Sequence, residues 1–232
     1  MKKTLFSALL ATVAHLAQGQ SIPAGTVSLG GNIGYARYTS TNSFNSLNGT
    51  TNTAETTSSQ FTFSPAVGFF VADNLALGLN LGYTSTRKGY TTLTPTPGVT
   101  RTELDPTTTL RLGVYGQYYK MLTEQFGVLG TLGAGYQNLR DYNYSSNSGN
   151  SVIQEFKGSG YYADLTPGII FFPIPKLGLS ASIGSLAFNR ISFDYPTNAG
   201  AAPSGYENKA SSFVANFGLS QLLFGGTYYF GR

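Results

Sequence analysis

The chain has 232 residues, of which 10% are charged and 14% aromatic, and its formal net charge is +4. The fraction of charged residues is well below the roughly 25% of ordinary soluble domains. The small excess of basic residues gives little support to a nucleic-acid partner. Cysteine is absent, which excludes disulfides and thiolate metal sites.

Residues 1–20 have the pattern of a cleaved export signal. Lys2 and Lys3 precede an apolar stretch that ends near Leu16, and Ala17-Gln18-Gly19 resembles a small-x-small cleavage site. The apolar stretch is too short to span a bilayer as a helix. We therefore predict a signal peptide over 1–20 and one domain over 21–232.

From residue 26 onward, apolar residues alternate with small or polar ones, which is the period of a β-strand. In the first segment Val27, Leu29 and Ile33 share one face, while Ser28 and Asn32 share the other. Seven later segments repeat this pattern. The predicted strands are 26–38, 59–71, 75–86, 107–120, 126–142, 155–172, 177–188 and 212–230.

The polar faces of these segments are rich in Gly, Ser, Thr, Asn and Gln, which suit a narrow hydrated interior. The connections alternate between short turns, such as 72–74 and 121–125, and long polar loops at 39–58, 87–106, 143–154 and 189–211. Outer-membrane barrels have short periplasmic turns and long outer loops. The sequence therefore predicts an all-β fold, an eight-stranded antiparallel up-and-down transmembrane β-barrel with both termini on the periplasmic side.

Aromatic residues support the same vertical axis, because they form two rows separated by an aliphatic band. The outer row, nearer the long loops, comprises Tyr35, Phe61, Tyr83, Tyr136 and Tyr161. The lower row, nearer the short periplasmic turns, comprises Phe69, Tyr118, Phe126, Phe171 and Tyr228. The last strand breaks the alternation, since Phe217 and Leu222 have opposite parity. A one-residue slip turns every side chain to the other face, so we predict a bulge near Ser220 and Gln221.

The C-terminal run from Leu222 to Phe230 (LLFGGTYYF) resembles the aromatic-ended signal read by the barrel-insertion machinery, although Gly231 and Arg232 follow it. With the export signal and the alternating segments, the chain resembles the small outer-membrane barrels of Gram-negative bacteria, the OmpA/OmpX/OmpW-like group, and in its Gly-rich strands those of Bacteroidota. The resemblance implies an integral outer-membrane protein that meets the insertion machinery, outer-membrane lipid and lipopolysaccharide.

Histidine is the most informative absence. The only one, His15, lies in the predicted signal peptide, so the mature chain offers neither a Ser-His pair nor a histidine base. The families of lipid A-modifying barrels use an active-site histidine, which argues against that activity, although an Asp or Glu base stays open. We predict no enzyme activity, no catalytic residues, no metal site and no cofactor.

Two charged residues, Arg111 and Asp164, occupy positions that the strand alternation turns toward the barrel interior (inward parity), and they lie at similar heights. The interior of an eight-stranded barrel is only wide enough for side chains, and a buried charge is costly unless it is paired. We predict that both belong to a lumenal polar network with Gln117, Tyr115 and Asn80. The alternative is that one or both lie in water near the rim.

The loops offer contacts to partners. Arg87, Lys88 and Arg101 are placed to meet anionic sugars and phosphates of outer-leaflet lipid. Exposed loop aromatics suit an extracellular protein or glycan ligand. They are Tyr90, Tyr144, Phe193, Tyr195 and Tyr206.

These observations favour a non-enzymatic outer-membrane barrel with a structural or surface-interaction role through its loops. The OmpW resemblance implies an alternative, a narrow channel for small or apolar solutes, which requires an open lumen or a lateral gap. A lipid-modifying enzyme is less favoured. A soluble β-sandwich would instead bury Leu77, Leu79 and Leu81.

Overall fold

The computed structural model describes residues 21–45, 51–94, 98–103, 105–147, 150–196 and 200–232. Within these ranges no helix has the length and apolar character to cross a membrane. The predicted signal peptide over 1–20 lies outside the described residues. The strands are β1 (Val27–Asn45), β2 (Thr51–Ala72), β3 (Leu75–Thr94), β4 (Gly98–Glu103), β5 (Thr107–Met121), β6 (Phe126–Asn147), β7 (Asn150–Ile174), β8 (Leu177–Phe193) and β9 (Asn208–Phe230).

Eight of these strands form a ring in which every neighbouring pair is antiparallel. The order is β2-β1-β9-β8-β7-β6-β5-β3, and pairing of β2 with β3 closes the ring. The short β4 pairs with the outer half of β3, from Gly89 to Thr94. The predicted eight-stranded antiparallel up-and-down barrel is confirmed, with β4 as an added strand outside the ring.

The barrel has two distinct ends. At one, which we call the turn end, β2 meets β3, β5 meets β6 and β7 meets β8 through short turns, and β1 begins and β9 stops. At the other, the loop end, the strands continue well beyond their predicted limits: β1 reaches Asn45 rather than 38, and β7 begins at Asn150 rather than 155. Polar hairpin arms thus extend the wall at the loop end.

The outer surface is apolar and the inner surface is small and polar, because successive side chains point to opposite faces. Leu77, Leu79 and Leu81 are 52%, 57% and 41% exposed, and the neighbouring small residues Gly78 and Asn80 are less accessible. The leucines therefore face outward, opposite to the arrangement that a soluble sandwich requires.

The predicted bulge in the last strand is confirmed. In the β8–β9 ladder Ile183 pairs with Leu222, but the next pair is Gly184 with Phe217, so residues 218–221 of β9 have no partner in β8. Gly184 opposes the bulge with φ at +121°, and a Cβ there would overlap the carbonyl oxygen of Asn216. Only glycine suits this position.

Candidate functional site

The barrel encloses a cavity of about 540 Å³ whose lining residues are mostly Ser, Thr, Asn, Gln and Gly. All five residues of the predicted lumenal network line it: Asn80, Arg111, Tyr115, Gln117 and Asp164. Their inward parity on β3, β5 and β7 brings them to one space. The cavity is within the 300–1,000 Å³ range of small-molecule sites.

Arg111 is the centre of a group of polar side chains in the part of the lumen nearer the loop end, which we call the upper group. Its Nε donates to Gln137 Oε1 at 3.1 Å, and its Nη2 donates to Asn189 Oδ1 at 3.4 Å. Gln137 Nε2 also donates to Asn189 Oδ1 at 3.2 Å. The guanidinium carbon lies 4.8 Å from the centre of the Tyr162 ring, a cation–π distance. Three strands, β5, β6 and β8, are thus joined across the lumen by one cation.

Among the described residues, neither Asp164 nor Gln117 forms a hydrogen bond or an ion pair with Arg111. No ion pair within 4.0 Å joins Arg111 to Asp164 in the described part of the chain, and the Asp164 carboxylate lies over Gly133, partly accessible to the cavity. Gln117 belongs to a lower group, in which its Nε2 donates to Thr131 and its Oε1 accepts from Tyr119 Oη at 2.6 Å. The five predicted residues therefore share a cavity, but not one continuous network of contacts.

The turn end of the lumen is closed by an aromatic cluster, which we call the floor. Its four large members are Phe70, Tyr119, Phe172 and Tyr229, all at most 2% exposed. Tyr229 contacts the other three with ring centres 5.2 to 6.4 Å apart, and its hydroxyl lies 3.1 Å from that of Tyr119. Such tilted pairs are favourable aromatic contacts. Ile22, Ala76, Met121 and Ile170 complete the floor.

The N-terminal segment of the described chain is held against the floor from below. Ile22 is fully buried; its backbone N–H donates to Asn74 Oδ1 at 2.8 Å, and its carbonyl accepts from Asn74 N–H at 2.9 Å. At the other terminus the Arg232 guanidinium stacks 3.7 Å from the centre of the Phe172 ring. Burial lowers the pKa of Arg232, an effect that the neighbouring Tyr229 opposes. Ile22 and Arg232 thus both pack against the floor.

The wall between β1 and β9 is open over most of its length. These strands pair only from Val27–Phe230 to Asn32–Gly225, although β1 continues to Asn45 and β9 begins at Asn208. Above the last pair, residues 35–39 and 211–217 are exposed on both faces. We call this gap the seam. It opens where the 218–221 bulge diverts β9, and Asn32 and Gly225 at its lower end also line the cavity.

The predicted loop residues lie on the extended arms. Arg87 and Lys88 are exposed on β3, whereas the side chain of Arg101, on β4, lies outside what the structure describes, as do those of Tyr90 and Tyr144. Beyond β8, Tyr195 and Tyr206 stack edge-to-face at 4.9 Å. They border an open pocket of about 540 Å³ with Asp194, Glu207 and Lys209.

Several site residues were missed at the sequence level. The floor could have been found, since Phe70, Phe172, Tyr119 and Tyr229 are inward-parity aromatics beside a turn or a terminus. Gln137 and Asn189, the partners of Arg111, have inward parity but carry no other distinguishing signal.

No protein-family model matches the chain, and no curated protein matches it. Among solved structures, it is similar to the outer membrane protein OprG from Pseudomonas aeruginosa at 16% identity, with 93% of this chain and 100% of that chain covered and a TM-score of 0.47. It is also similar to the N-terminal β-barrel domain of OprF from the same organism, at 13% identity, 91% and 100% coverage and a TM-score of 0.36. The β domain of the Bordetella autotransporter BrkA matches at 12% identity, 91% and 100% coverage and a TM-score of 0.33. Membership of the OmpA/OmpX/OmpW-like group stays a prediction.

Proposed function

We propose that the protein is a non-enzymatic integral barrel of the Gram-negative outer membrane, with periplasmic termini, that gives small, partly apolar solutes a lateral route between its lumen and the bilayer. One observation carries this proposal: the β1–β9 pairing ends at Asn32 and Gly225 while both strands continue.

Membrane placement is supported by the barrel exterior. Large apolar side chains cover the outside, from Leu29, 54% exposed, through Leu112, 62% exposed, to Phe224, 68% exposed. A continuous apolar belt of this kind would drive aggregation in water, whereas a bilayer accommodates it.

The floor argues against a straight aqueous channel. A solute that enters from the loop end meets the buried rings of Phe70 and Tyr229 before it can reach the turn end. The remaining exit from the cavity is sideways, through the seam that Asn32 and Gly225 border.

The unpaired backbone of the seam supports the same route. Residues 33–35 of β1 lie just below and at the outer aromatic row, at the edge of the hydrocarbon layer, where lipid offers no hydrogen bonds to the N–H and C=O groups left unpaired by β9. Non-helical backbone at this depth is tolerated only where it lines a hydrated cavity. The seam therefore joins polar lumen to lipid, and Ile33, Tyr35 and Phe213 give it apolar edges. Such a path suits a solute with both polar and apolar parts.

The test is to close the seam reversibly. Ile33 and Phe224 follow the last pair in the same register, and the chain has no cysteine of its own. We expect an Ile33→Cys/Phe224→Cys disulfide to slow, several-fold, the entry of the apolar fluorophore N-phenyl-1-naphthylamine into cells that display the barrel, and reduction to restore it. If this disulfide does not form, Ile33→Cys modified with a bulky methanethiosulfonate gives the same block.

The matched control is Val27→Cys/Phe230→Cys, which links the same two strands where they already pair. Oxidation of the control should leave fluorophore entry unchanged. Equal entry with the seam open, closed or blocked refutes the lateral route and leaves the structural or loop-mediated role. For that role, the pocket beside Tyr195 and Tyr206 offers a stacked aromatic pair and polar groups to a protein or glycan ligand.

A further inference from the structure

Positive charges lie at one level on the outside of the barrel. On six wall strands, an exposed Lys or Arg lies two or four residues beyond the outward aromatic of the same strand, toward the loop end. Even spacing keeps the cation on the outward face. The pairs of aromatic and cation are Tyr35 and Arg37, Tyr83 and Arg87, Tyr136 and Arg140, Tyr161 and Lys157, Phe188 and Arg190, and Phe213 and Lys209.

This level corresponds to lipid headgroups. Aromatic rings mark the boundary between hydrocarbon and headgroups. Two to four residues at roughly 3.3 Å each, on strands tilted by about 40°, place the cations about 5 to 10 Å beyond that boundary. We call these six cations (Arg37, Arg87, Arg140, Lys157, Arg190 and Lys209) the collar. Among the described residues the turn end has no comparable set, since exposed Lys120 and Lys176 are accompanied there by exposed Asp73 and Glu124.

Three of the six collar cations already have an acidic partner within the protein. Glu155 lies 3.0 Å from Arg140 and 3.7 Å from Lys157, and Glu207 lies 2.9 Å from Lys209. Among residues whose side chains are described, Arg37, Arg87 and Arg190 form no ion pair.

The three collar arginines that form no ion pair among the described residues lie on every second strand over one half of the ring. They belong to β1, β3 and β8, which are parts of the continuous run β8-β9-β1-β2-β3. Arg37 and Arg87 have the same strand neighbour, Ser59, which pairs with one on each side. We call Arg37, Arg87 and Arg190 the arginine arc, and it spans the seam.

We propose that the arginine arc binds the phosphate groups of lipopolysaccharide in the outer leaflet. The membrane placement comes from the proposed function, but the lateral route is not required. Guanidinium groups hold phosphate oxygens through paired N–H donors. A bisphosphorylated glycolipid offers two such groups at the level where the arc lies. Its acyl chains would lie along the apolar wall below, beside Tyr35 and Phe61, and would border the seam.

The test measures binding of bisphosphorylated lipid A to the purified barrel in detergent by native mass spectrometry. The variant Arg37→Gln/Arg87→Gln/Arg190→Gln is expected to bind about fivefold more weakly for each arginine removed, on the order of a hundredfold in all. Dephosphorylated lipid A should bind weakly to every form.

The matched control removes the same charge at the same level from cations that already have acidic partners, in the variant Arg140→Gln/Lys157→Gln/Lys209→Gln. Equal loss in the two triple variants, no loss in either, or equal affinity for dephosphorylated lipid A overturns the proposal. Equal binding of phosphatidylglycerol would make the arc a general anionic-lipid site and overturn it as well. Because the readout is binding to isolated protein, failure of the lateral route in the transport assay does not affect this result.

Discussion

The floor makes a sharp prediction, because one substitution should both weaken the barrel and open it. Phe70 is 0% exposed, and its ring centre lies 5.5 Å from that of Tyr119 and 6.1 Å from that of Tyr229. Phe70→Ser removes the ring from the middle of the seal. The smaller, polar side chain lets water from the cavity reach the turn end.

The expected cost follows from burial. Truncation of a fully buried Phe costs about 3 to 5 kcal/mol, and each aromatic pair contributes about 0.5 to 1.5 kcal/mol of this. For a domain of this size, the melting temperature should fall by roughly 6 to 20 °C.

The assay combines thermal melting in detergent with single-channel recording in planar bilayers, and Phe69→Ser is the control. Phe69 is the preceding residue and is 51% exposed on the outer face, so its loss leaves the floor intact. We expect steady conductance from Phe70→Ser and none from Phe69→Ser. If Phe70→Ser melts like the wild type and passes no more current than Phe69→Ser, the floor is not a seal.

Further predictions concern the lumen and the barrel as a whole. Arg111→Met should lower the free energy of unfolding by about 1.5 to 3 kcal/mol, since the side chains of Gln137 and Asn189 lose a charged donor; unchanged melting in detergent would show that no buried network depends on this cation. Gly113→Ala should destabilise the barrel, because its Cβ would overlap Tyr162 Oη, whereas Gly130→Ala, with open space around the added carbon, should melt like the wild type. Purified protein should migrate differently on SDS gels before and after boiling, as a closed detergent-resistant barrel does, and equal mobility together with solubility in the absence of detergent would contradict the membrane placement.

The turn end of the wall was predictable to within two residues, because lipid and lumen impose opposite chemistry on alternate positions there. The strand predicted over 75–86 begins at Leu75, and that over 177–188 begins at Leu177. The loop end was not predictable in the same way. Its arms, such as 87–94 and the whole of β4, are mostly polar on both faces, so the regular apolar alternation of a membrane strand is missing.

The lumen was predictable as a set of residues but not as a set of contacts. Parity placed Arg111 and Asp164 inside, and both line the cavity. Gln137 is the register partner of Arg111 on the adjacent β6, but Asn189 is on β8, three strands from β5 in the ring. Contact across a lumen depends on tilt and stagger that no single strand encodes.

The seam shows the same limit more clearly. The parity break between Phe217 and Leu222 revealed a bulge, which the β8–β9 register confirms. That the bulge turns β9 away from β1 could not be inferred, because the pattern of one strand does not report the path of a partner almost two hundred residues away.

The short pairing of β1 with β9 also has a consequence for the order of folding. Every other wall pairing in the described residues joins strands that follow each other along the chain, apart from the step over β4. Local hairpins of this kind form early, and the one pairing of distant segments must wait for the ends to meet. Tyr229 in β9 and Ile22 just before β1 both enter the floor, so ring closure and sealing of the floor are expected to be a single late event. In pulse-labelled hydrogen exchange during refolding, the amides of 27–32 and 225–230 should become protected last. The floor would then exclude water from the turn end of the lumen as soon as the ring of strands closes.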